Sequence, residues 1–307
     1  MVATEKLVSE LKAAREGAAF YDASAWGQFV VSGPDAPGFL HRMLSNEVQK
    51  LGLGEGRYQG LLDRKGMTLS LFYLRRLADQ EFLGVTPPRL TEKTTGFLNK
   101  MKFIEKVQIR DVSQERGLLF LIGPKADEFK AQVAGEASLT WEDKAFTPPW
   151  VAVSGPRDVL RPALSSLGEK IPSVSDTAFR LIRMAAGFPE YGVDLGETSI
   201  LLETAVPVTH QRNKGCYPGQ EVIERISTYG KGRAPRRLIH FAIPGEKVLD
   251  PGMRLNLKDG TTAGRVTSSL FDPLDQVTRV MASVETKHLD DVLANIGECE
   301  FVPPASP

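Results

Sequence analysis

The chain has 307 residues, of which 42% are hydrophobic and 25% are charged. This composition is typical of globular proteins and excludes disordered, collagen-like and coiled-coil chains. Lysine plus arginine and aspartate plus glutamate number 38 each, so no net charge favours nucleic acid or an anionic membrane, and any anion site must be local. The length predicts about two domains of ~150 residues.

The amino-terminal segment gives no targeting signal. It contains Glu5, Glu10 and Glu16 and no apolar block, which argues against a secretory signal and an acid-poor transit peptide. No apolar run reaches the ~20 residues that span a bilayer. The two cysteines, Cys216 and Cys299, cannot build a disulfide scaffold. We expect a cytoplasmic protein that makes no membrane contact.

The first predicted element is an amphipathic helix. Leu7, Leu11 and Ala14 recur at helical spacing between a cap at Thr4 and Gly17.

A pattern of apolar run, Gly-Pro and helix-like stretch then occurs three times. The copies are FVVSGPDAPGFLHRML from Phe29, LLFLIGPKADEFKAQV from Leu118 and WVAVSGPRDVLRPALSSLG from Trp150. Each copy predicts a strand, a turn and a helix. Repeats at unequal separations indicate an α+β chain with duplicated subdomains. The alternative is that Gly-Pro is simply a common strand terminator.

Further elements are predicted between and after these copies. Strands are predicted in LLDRKGMTLSLFYLRRL and KVQIRDV, with a helix from Pro88 to Met101 between them. A later helix is capped by Asp176 and ended by Gly187.

After Arg237 the pattern changes to short strands, with a hairpin turn at Asp259-Gly260. We therefore predict a boundary near Pro235, which separates residues 1–234 from a mostly β module at 235–307.

The histidines show no metal-binding pattern. His41, His210, His240 and His288 are scattered, and the chain has no Cys-x-x-Cys or His-x-x-x-His spacing. They are interpreted as ordinary surface or core residues, and no metal site is predicted.

The most unusual stretch surrounds Cys216. Gly215 and Gly219 bracket the thiol and allow close approach of backbone. Pro218 is a suitable first residue for the helix that follows. Cys216 then precedes a helix amino terminus, where unpaired N–H groups and the nearby Lys214 favour the thiolate. The alternative for a lone cysteine is a small buried hydrophobe.

The first turn of that helix contains Gln220 and Glu221, which can bond free amides or orient a ligand. Glu221 opposes the effect of the nearby cation on the thiol.

A basic patch follows, made of Arg225, Lys231, Arg233, Arg236 and Arg237. It is suited to a polycarboxylate or to phosphates. A solvated face and an RNA contact are alternatives, but no RNP-like aromatic signature accompanies the patch, so a small anionic ligand ranks above RNA.

The motif Lys214-Gly215-Cys216-Tyr217-x-Gly219-Gln220-Glu221, followed by Arg225, resembles the signature of the YgfZ family. These folate-binding proteins are related to the glycine-cleavage T-protein, an aminomethyltransferase, and are implicated in maturation or repair of iron–sulfur enzymes. The resemblance extends to residues 21–66, 180–195 and 252–269.

The resemblance implies a three-lobed T-protein-like fold with duplicated α/β subdomains, a carboxyl-terminal β-barrel and a central cavity for tetrahydrofolate. It implies Cys216, Lys214 and Asp63 as catalytic candidates. The implied cofactor-binding residues are Asp63, Lys65, Gly66, Arg183, Gly215, Tyr217, Gly219, Gln220, Glu221 and Arg225. The implied partners are folate and iron–sulfur client or assembly proteins.

The chain departs from the T-protein in its acids. The acid pair of the T-protein falls here on Ser70 and Leu71, and neither side chain supplies an acid or base at neutral pH. Aminomethyl transfer by that mechanism is therefore not expected. The Arg183 segment also lacks the acid that relatives direct at the pterin. Asp63 and Lys65 either face the cavity or form a polar hairpin turn.

Three functions follow from these observations. The first is a YgfZ-type accessory protein that binds a reduced folate and presents Cys216 to a sulfur or cluster intermediate. The second is a folate-dependent one-carbon transferase with Asp63 as its acid. The third is an RNA-interaction or tRNA-modification factor that uses residues 231–237.

Overall fold

The structure is a computed structural model and describes residues 2–135, 138–143, 150–204, 206, 209–230 and 232–303. The chain divides into two compact units. The first comprises Met1–Leu61, Ser70–Arg180 and Pro207–Pro218, and the second comprises Leu62–Leu69, Leu181–Val206 and Gly219–Pro307. Among the described residues, no helix has the length and apolar character needed to span a membrane.

The helices and strands up to residue 185 are, in chain order, α1 (Val2–Glu16), β1 (Ala19–Asp22), β2 (Gly27–Ser32), α2 (Ala36–Met43), β3 (Gly56–Leu62), β4 (Thr68–Ala78), β5 (Glu81–Thr86), α3 (Thr91–Met101), β6 (Gln108–Asp111), β7 (Arg116–Ile122), α4 (Asp127–Val133), β8 (Leu139–Asp143), β9 (Trp150–Pro156), α5 (Arg157–Gly168) and α6 (Asp176–Ala185). The later ones are α7 (Gln220–Thr228), β10 (Arg236–Pro244), β11 (Arg254–Asn256), β12 (Thr262–Asp272), β13 (Val277–Glu285), α8 (Leu289–Ala294) and β14 (Glu300–Val302).

Two sheets belong to the first unit. One has the strand order β3-β4-β5-β2-β6, and the other has the order β1-β7-β9-β8. In the five-stranded sheet β2 pairs antiparallel with β5, from Gly27 opposite Thr86 to Ser32 opposite Glu81. Its apolar face packs with α2 in a core that includes the fully buried side chain of Phe39. α2 is therefore fixed on this sheet.

The three strand-turn-helix copies are observed as local units: β2 leads to α2, β7 to α4 and β9 to α5. The first helix is also confirmed, although α1 begins before the predicted cap at Thr4. The predicted cap at Asp176 is wrong, because the Ser175 hydroxyl accepts the N–H of Ala178 at 3.3 Å and Asp176 is already helical. The duplication of whole subdomains stays a prediction.

The second unit contains a five-stranded sheet of order β10-β13-β12-β11-β14, in which all pairs are antiparallel. The predicted Asp259-Gly260 hairpin is confirmed between β11 and β12. Gly260 has φ 84°, and the Asp259 carboxylate accepts the N–H of Thr261 at 2.9 Å. The predicted boundary near Pro235 and the closed barrel stay predictions.

Candidate functional site

The loop before α7 is fixed in the first unit by an exchange of hydrogen bonds between Lys214 and His41. The His41 ring Nε2 donates to the backbone oxygen of Lys214 at 2.5 Å. In return, the Lys214 ammonium donates to the backbone oxygen of His41. Because a carbonyl oxygen only accepts, the first bond places the ring hydrogen on Nε2. Two hydrogen bonds between His41 and Lys214 thus connect the loop to α2.

Lys214 is buried, with only 8% of its surface exposed. Burial lowers the pKa of Lys214 to about 8, and the Coulombic interactions with Glu47 and Cys216 partly oppose this effect. The ammonium also lies 4.9 Å from the centre of the Tyr217 ring, a cation–π arrangement. Lys214 is therefore a partly desolvated cation held by the His41 carbonyl oxygen and the face of the Tyr217 ring.

A buried polar turn supports the other side of His41. Glu47 Oε1 lies 3.1 Å from His41 Nδ1. Burial alone would raise the pKa of Glu47, but the N–H of Lys50 and Coulombic interactions with His41 and Lys50 lower it below its usual value. Ser45 adds a second tether, since its hydroxyl donates to the Thr209 oxygen at 2.5 Å.

Cys216 is exposed. Gly215 is exposed beside it, whereas Lys214 and Tyr217 are buried on either side. Gly215 has φ 114°, which is the left-handed region that favours glycine. The chain can therefore turn sharply here and direct Cys216 outward between two buried anchors.

The predicted residues Asp63, Lys65 and Gly66 form a tight turn in the second unit. Asp63 Oδ1 accepts the N–H groups of Lys65 at 2.8 Å and Met67 at 2.9 Å. The sequence alone allows either a polar turn or a ligand site here. One oxygen of Asp63 serves the turn, while the Lys65 side chain is exposed.

This turn packs against Gly219. A Cβ at Gly219 would lie 2.5 Å from the backbone oxygen of Asp63 and 2.7 Å from the Cα of Gly66. Gly219 has φ 76° and precedes α7. The expected helix start at Pro218 is therefore wrong: a left-handed residue interrupts the helix, which begins at Gln220. Gln220 and Glu221 occupy its first turn, as predicted.

Arg183 lies in a buried network of the second unit. Its Nη1 donates to Asp194 Oδ2 at 2.9 Å and to the Phe188 oxygen at 3.1 Å. Nη2 donates to Glu190 at 2.7 Å. Both terminal nitrogens therefore serve the fold. Binding of a cofactor by Arg183 stays a prediction.

The basic patch is described except for Lys231, which lies outside the described residues. Arg225, Arg233 and Arg237 are exposed. Arg236 instead pairs with Glu203 at 3.3 Å. The patch thus keeps exposed guanidinium groups on and after α7.

The positions compared with the T-protein acids are enclosed. Ser70 is fully buried, and its hydroxyl shares a 2.8 Å hydrogen bond with the Thr94 hydroxyl. Leu71 is also buried. Neither side chain is an acid or a base at neutral pH.

Comparisons with known proteins bear on the fold. The family described as GCVT N-terminal domain matches residues 2–152. A structure of glycine cleavage system aminomethyltransferase T from Bartonella henselae has a TM-score of 0.81 at 22% identity, covering 92% of this chain and 82% of that one. The chain has a GcvT-like fold with mixed α/β content and several sheets.

Curated relatives extend the similarity along the chain. An aminomethyltransferase of Thermus thermophilus is 29% identical over 299 residues, which cover 91% of this chain and 83% of the relative. One from Caldanaerobacter subterraneus is 26% identical, covering 92% and 81% respectively. These relatives extend the similarity to aminomethyltransferases over about nine-tenths of the chain.

The sequence analysis missed His41, Glu47 and Ser45. His41 was interpreted as an ordinary histidine, and it is 173 residues from its partner Lys214. The only local signal is the polar run Ser45-Asn46-Glu47 directly after a predicted apolar helix. Buried polar residues at such a position require partners, but the sequence does not say which.

Proposed function

We propose that this protein is of the YgfZ type: it binds a reduced folate and presents the thiol of Cys216 to a sulfur or iron–sulfur cluster intermediate. Its clients in this proposal are iron–sulfur enzymes or their assembly proteins. The observation that carries the proposal is the exposed Cys216 between the buried anchors Lys214 and Tyr217. An accessible thiol on a fixed loop can reach a partner's sulfur or metal, whereas a buried one cannot.

The enclosed residues of β4 support an accessory role over aminomethyl transfer. Ser70 is held by Thr94 inside the first unit, and a hydroxyl cannot assist reaction at a folate nitrogen as a carboxylate would. The proposal retains the three-lobed arrangement with duplicated subdomains and a terminal barrel.

The charged groups around α7 fit a reduced folate chemically. A pterin offers N–H donors and a glutamate tail offers carboxylates. The carboxylate of Asp63 has one oxygen that the turn does not use, which suits a donor. Lys65 and Arg225 are exposed cations, which suit the tail. Bound folate would supply a one-carbon carrier, and these residues would orient it.

Folate binding is tested by calorimetric titration with tetrahydrofolate, folic acid and a folate-free pterin. We expect saturable binding of tetrahydrofolate and a weaker affinity in Arg225→Gln, because one carboxylate contact is lost. Lys247→Gln, which removes an exposed cation of the same unit, serves as the matched control and should bind normally. Absence of saturable binding would contradict the proposal.

The role of the thiol is tested in a strain that lacks its own copy of the gene. Cys216→Ser should fail to restore the activities of cluster-dependent enzymes, while the control Cys299→Ser should restore them. Full restoration by Cys216→Ser would remove the thiol from the mechanism, even if folate still binds.

A second candidate is a folate-dependent one-carbon transferase. It is favoured by the relatives named aminomethyltransferase, which match about nine-tenths of the chain. Asp63 is the nearest candidate acid. Asp63→Asn keeps an acceptor for the turn but removes the titratable group, so it should abolish formation of methylene-tetrahydrofolate from a methylated or aminomethylated donor. No turnover by the wild type across a donor panel would count against this candidate.

RNA interaction or tRNA modification stays a prediction based on the basic patch alone. Binding that shows no salt dependence would argue against a phosphate-contacting mode.

A further inference from the structure

His41 and Lys214 are joined by two hydrogen bonds between side chain and backbone. Each side chain bonds the backbone oxygen of the other residue. Loss of either side chain removes one bond and leaves the backbone oxygen of the other residue without this donor. The pair therefore behaves as a unit.

The His41 ring is fixed by the helix that carries it and by one hydrogen bond. Its backbone belongs to α2, which packs on the five-stranded sheet. Nε2 meets the Lys214 oxygen, and Nδ1 faces Glu47, whose own backbone N–H is bonded to Asn46 at 2.9 Å. The hydrogen bond at Nε2 and the burial of the side chain, which is 13% exposed, restrict the rotation of the ring.

This fixed ring lies next to the thiol loop. A Cβ at Gly215 would lie 3.6 Å from His41 Nε2, in ordinary van der Waals contact. Cys216 follows Gly215 directly and is exposed. Its position is set by Lys214 on one side and Tyr217 on the other.

We propose that His41 is a positioning residue for Cys216, acting through its bond to the Lys214 backbone oxygen. His41 does not touch a substrate in this role. It restricts the loop so that the exposed thiol points in one direction. The inference rests on the proposed function only for the importance of the thiol, since the restriction itself is a property of the chain without ligand.

The test attaches a nitroxide spin label to Cys216 in a Cys299→Ser chain and records the electron paramagnetic resonance spectrum. His41→Gln keeps a donor near the place of Nε2, whereas the donor of His41→Asn lies near the place of Nδ1 and is too short to reach Lys214. We expect the label in His41→Gln to be as restricted as in the wild type. In His41→Asn its rotational correlation time should fall by at least about twofold, in the nanosecond range of loop motion.

The control labels Cys299 in a Cys216→Ser chain. Its spectrum should not change with His41→Asn, and a parallel change there would mean general loosening and would overturn the proposal. An unchanged Cys216 label in His41→Asn would also overturn it, as would equal mobility in the Gln and Asn variants.

If His41→Asn does not fold, His41→Leu tests the same bond. Leucine keeps an apolar side chain on α2 but donates nothing, so the label should again become mobile. A label as restricted as in the wild type would overturn the proposal. Because no folate or client enzyme is present, these outcomes are independent of the tests of function.

Discussion

Replacing Lys214 by methionine should stabilise the protein while impairing the site. Lys214 is a buried ammonium whose pKa is lowered to about 8, with burial as the principal cause. Methionine fills nearly the same volume without a charge. The cost of keeping the ammonium desolvated at neutral pH is thereby removed, although the bond to the His41 oxygen is lost.

The magnitude follows from the pKa. The difference between the ordinary value of 10.5 and about 8 corresponds to ~3 kcal/mol, because one pKa unit equals ~1.36 kcal/mol. Solvent that still reaches the ammonium reduces this value. We therefore expect Lys214→Met to raise the free energy of unfolding by ~1–3 kcal/mol at pH 7.

The stability advantage of Lys214→Met should decrease as the pH rises. The unfolded chain binds the Lys214 proton up to about pH 10.5, whereas the folded chain releases it near pH 8. The buried charge lowers the free energy of unfolding of the wild type by its full amount below pH 8. This loss becomes smaller as the pH rises towards 10.5. The advantage of Lys214→Met should therefore shrink by ~1–2 kcal/mol between pH 7 and pH 9.5.

Urea unfolding of both proteins at the two pH values measures this difference, and other titrating groups cancel between them. Lys125→Met, which removes an exposed lysine of the same unit, is the matched control and should show no such pH dependence. A Lys214→Met protein that is less stable than the wild type at pH 7, or an advantage that grows with pH, would refute the reasoning.

Three further substitutions probe the surrounding structure by urea unfolding. Gly219→Ala should lower the free energy of unfolding by ~3 kcal/mol, because its methyl group would meet a backbone oxygen at 2.5 Å and φ is positive. The control Gly192→Ala, with φ 90° but open space around it, should lower it by only ~1 kcal/mol. Equal losses would contradict the argument from the contact. Asp194→Asn should lower the free energy of unfolding by ~3 kcal/mol, since it removes the buried carboxylate of Arg183 and leaves only that of the more exposed Glu190. A loss below ~1 kcal/mol would show that the ion pair with Asp194 is dispensable. Ser70→Asp should cost several kcal/mol, on the order of a buried unpaired charge, and a stable variant would show that an acid fits there.

The sequence predicts elements well where the signal is local. The Gly-Pro copies and the Asp259-Gly260 hairpin are set by nearby residues with a defined backbone preference, and the structure contains each of them. Predictions of helix ends are less accurate, because competing caps lie one or two residues apart. Ser175 replaces Asp176 at one start, and the left-handed Gly219 delays another.

The site could be predicted only in part for a different reason. The cysteine motif is contiguous, so its glycines and lysine can be recognised from the sequence. Its supports are not contiguous, since His41 and Glu47 come from the first fifth of the chain and Lys214 from the last third. Pairing over such a separation depends on the tertiary structure. The same is true of Arg183, whose partner Asp194 is in turn bonded by Thr267 at 2.8 Å.

The His41–Lys214 exchange is better explained by positioning than by packing. An apolar side chain at position 214 would pack in the core at a lower free-energy cost, because burying the ammonium removes it from water. What the lysine adds is a directed bond to the His41 oxygen and a charge near an exposed thiol. A desolvated cation that costs stability yet fixes a reactive side chain is the pattern expected where function and stability compete. The Lys214→Met protein should therefore be the more stable one and also the one whose thiol loop is least restricted, and both measurements can be made on the same sample.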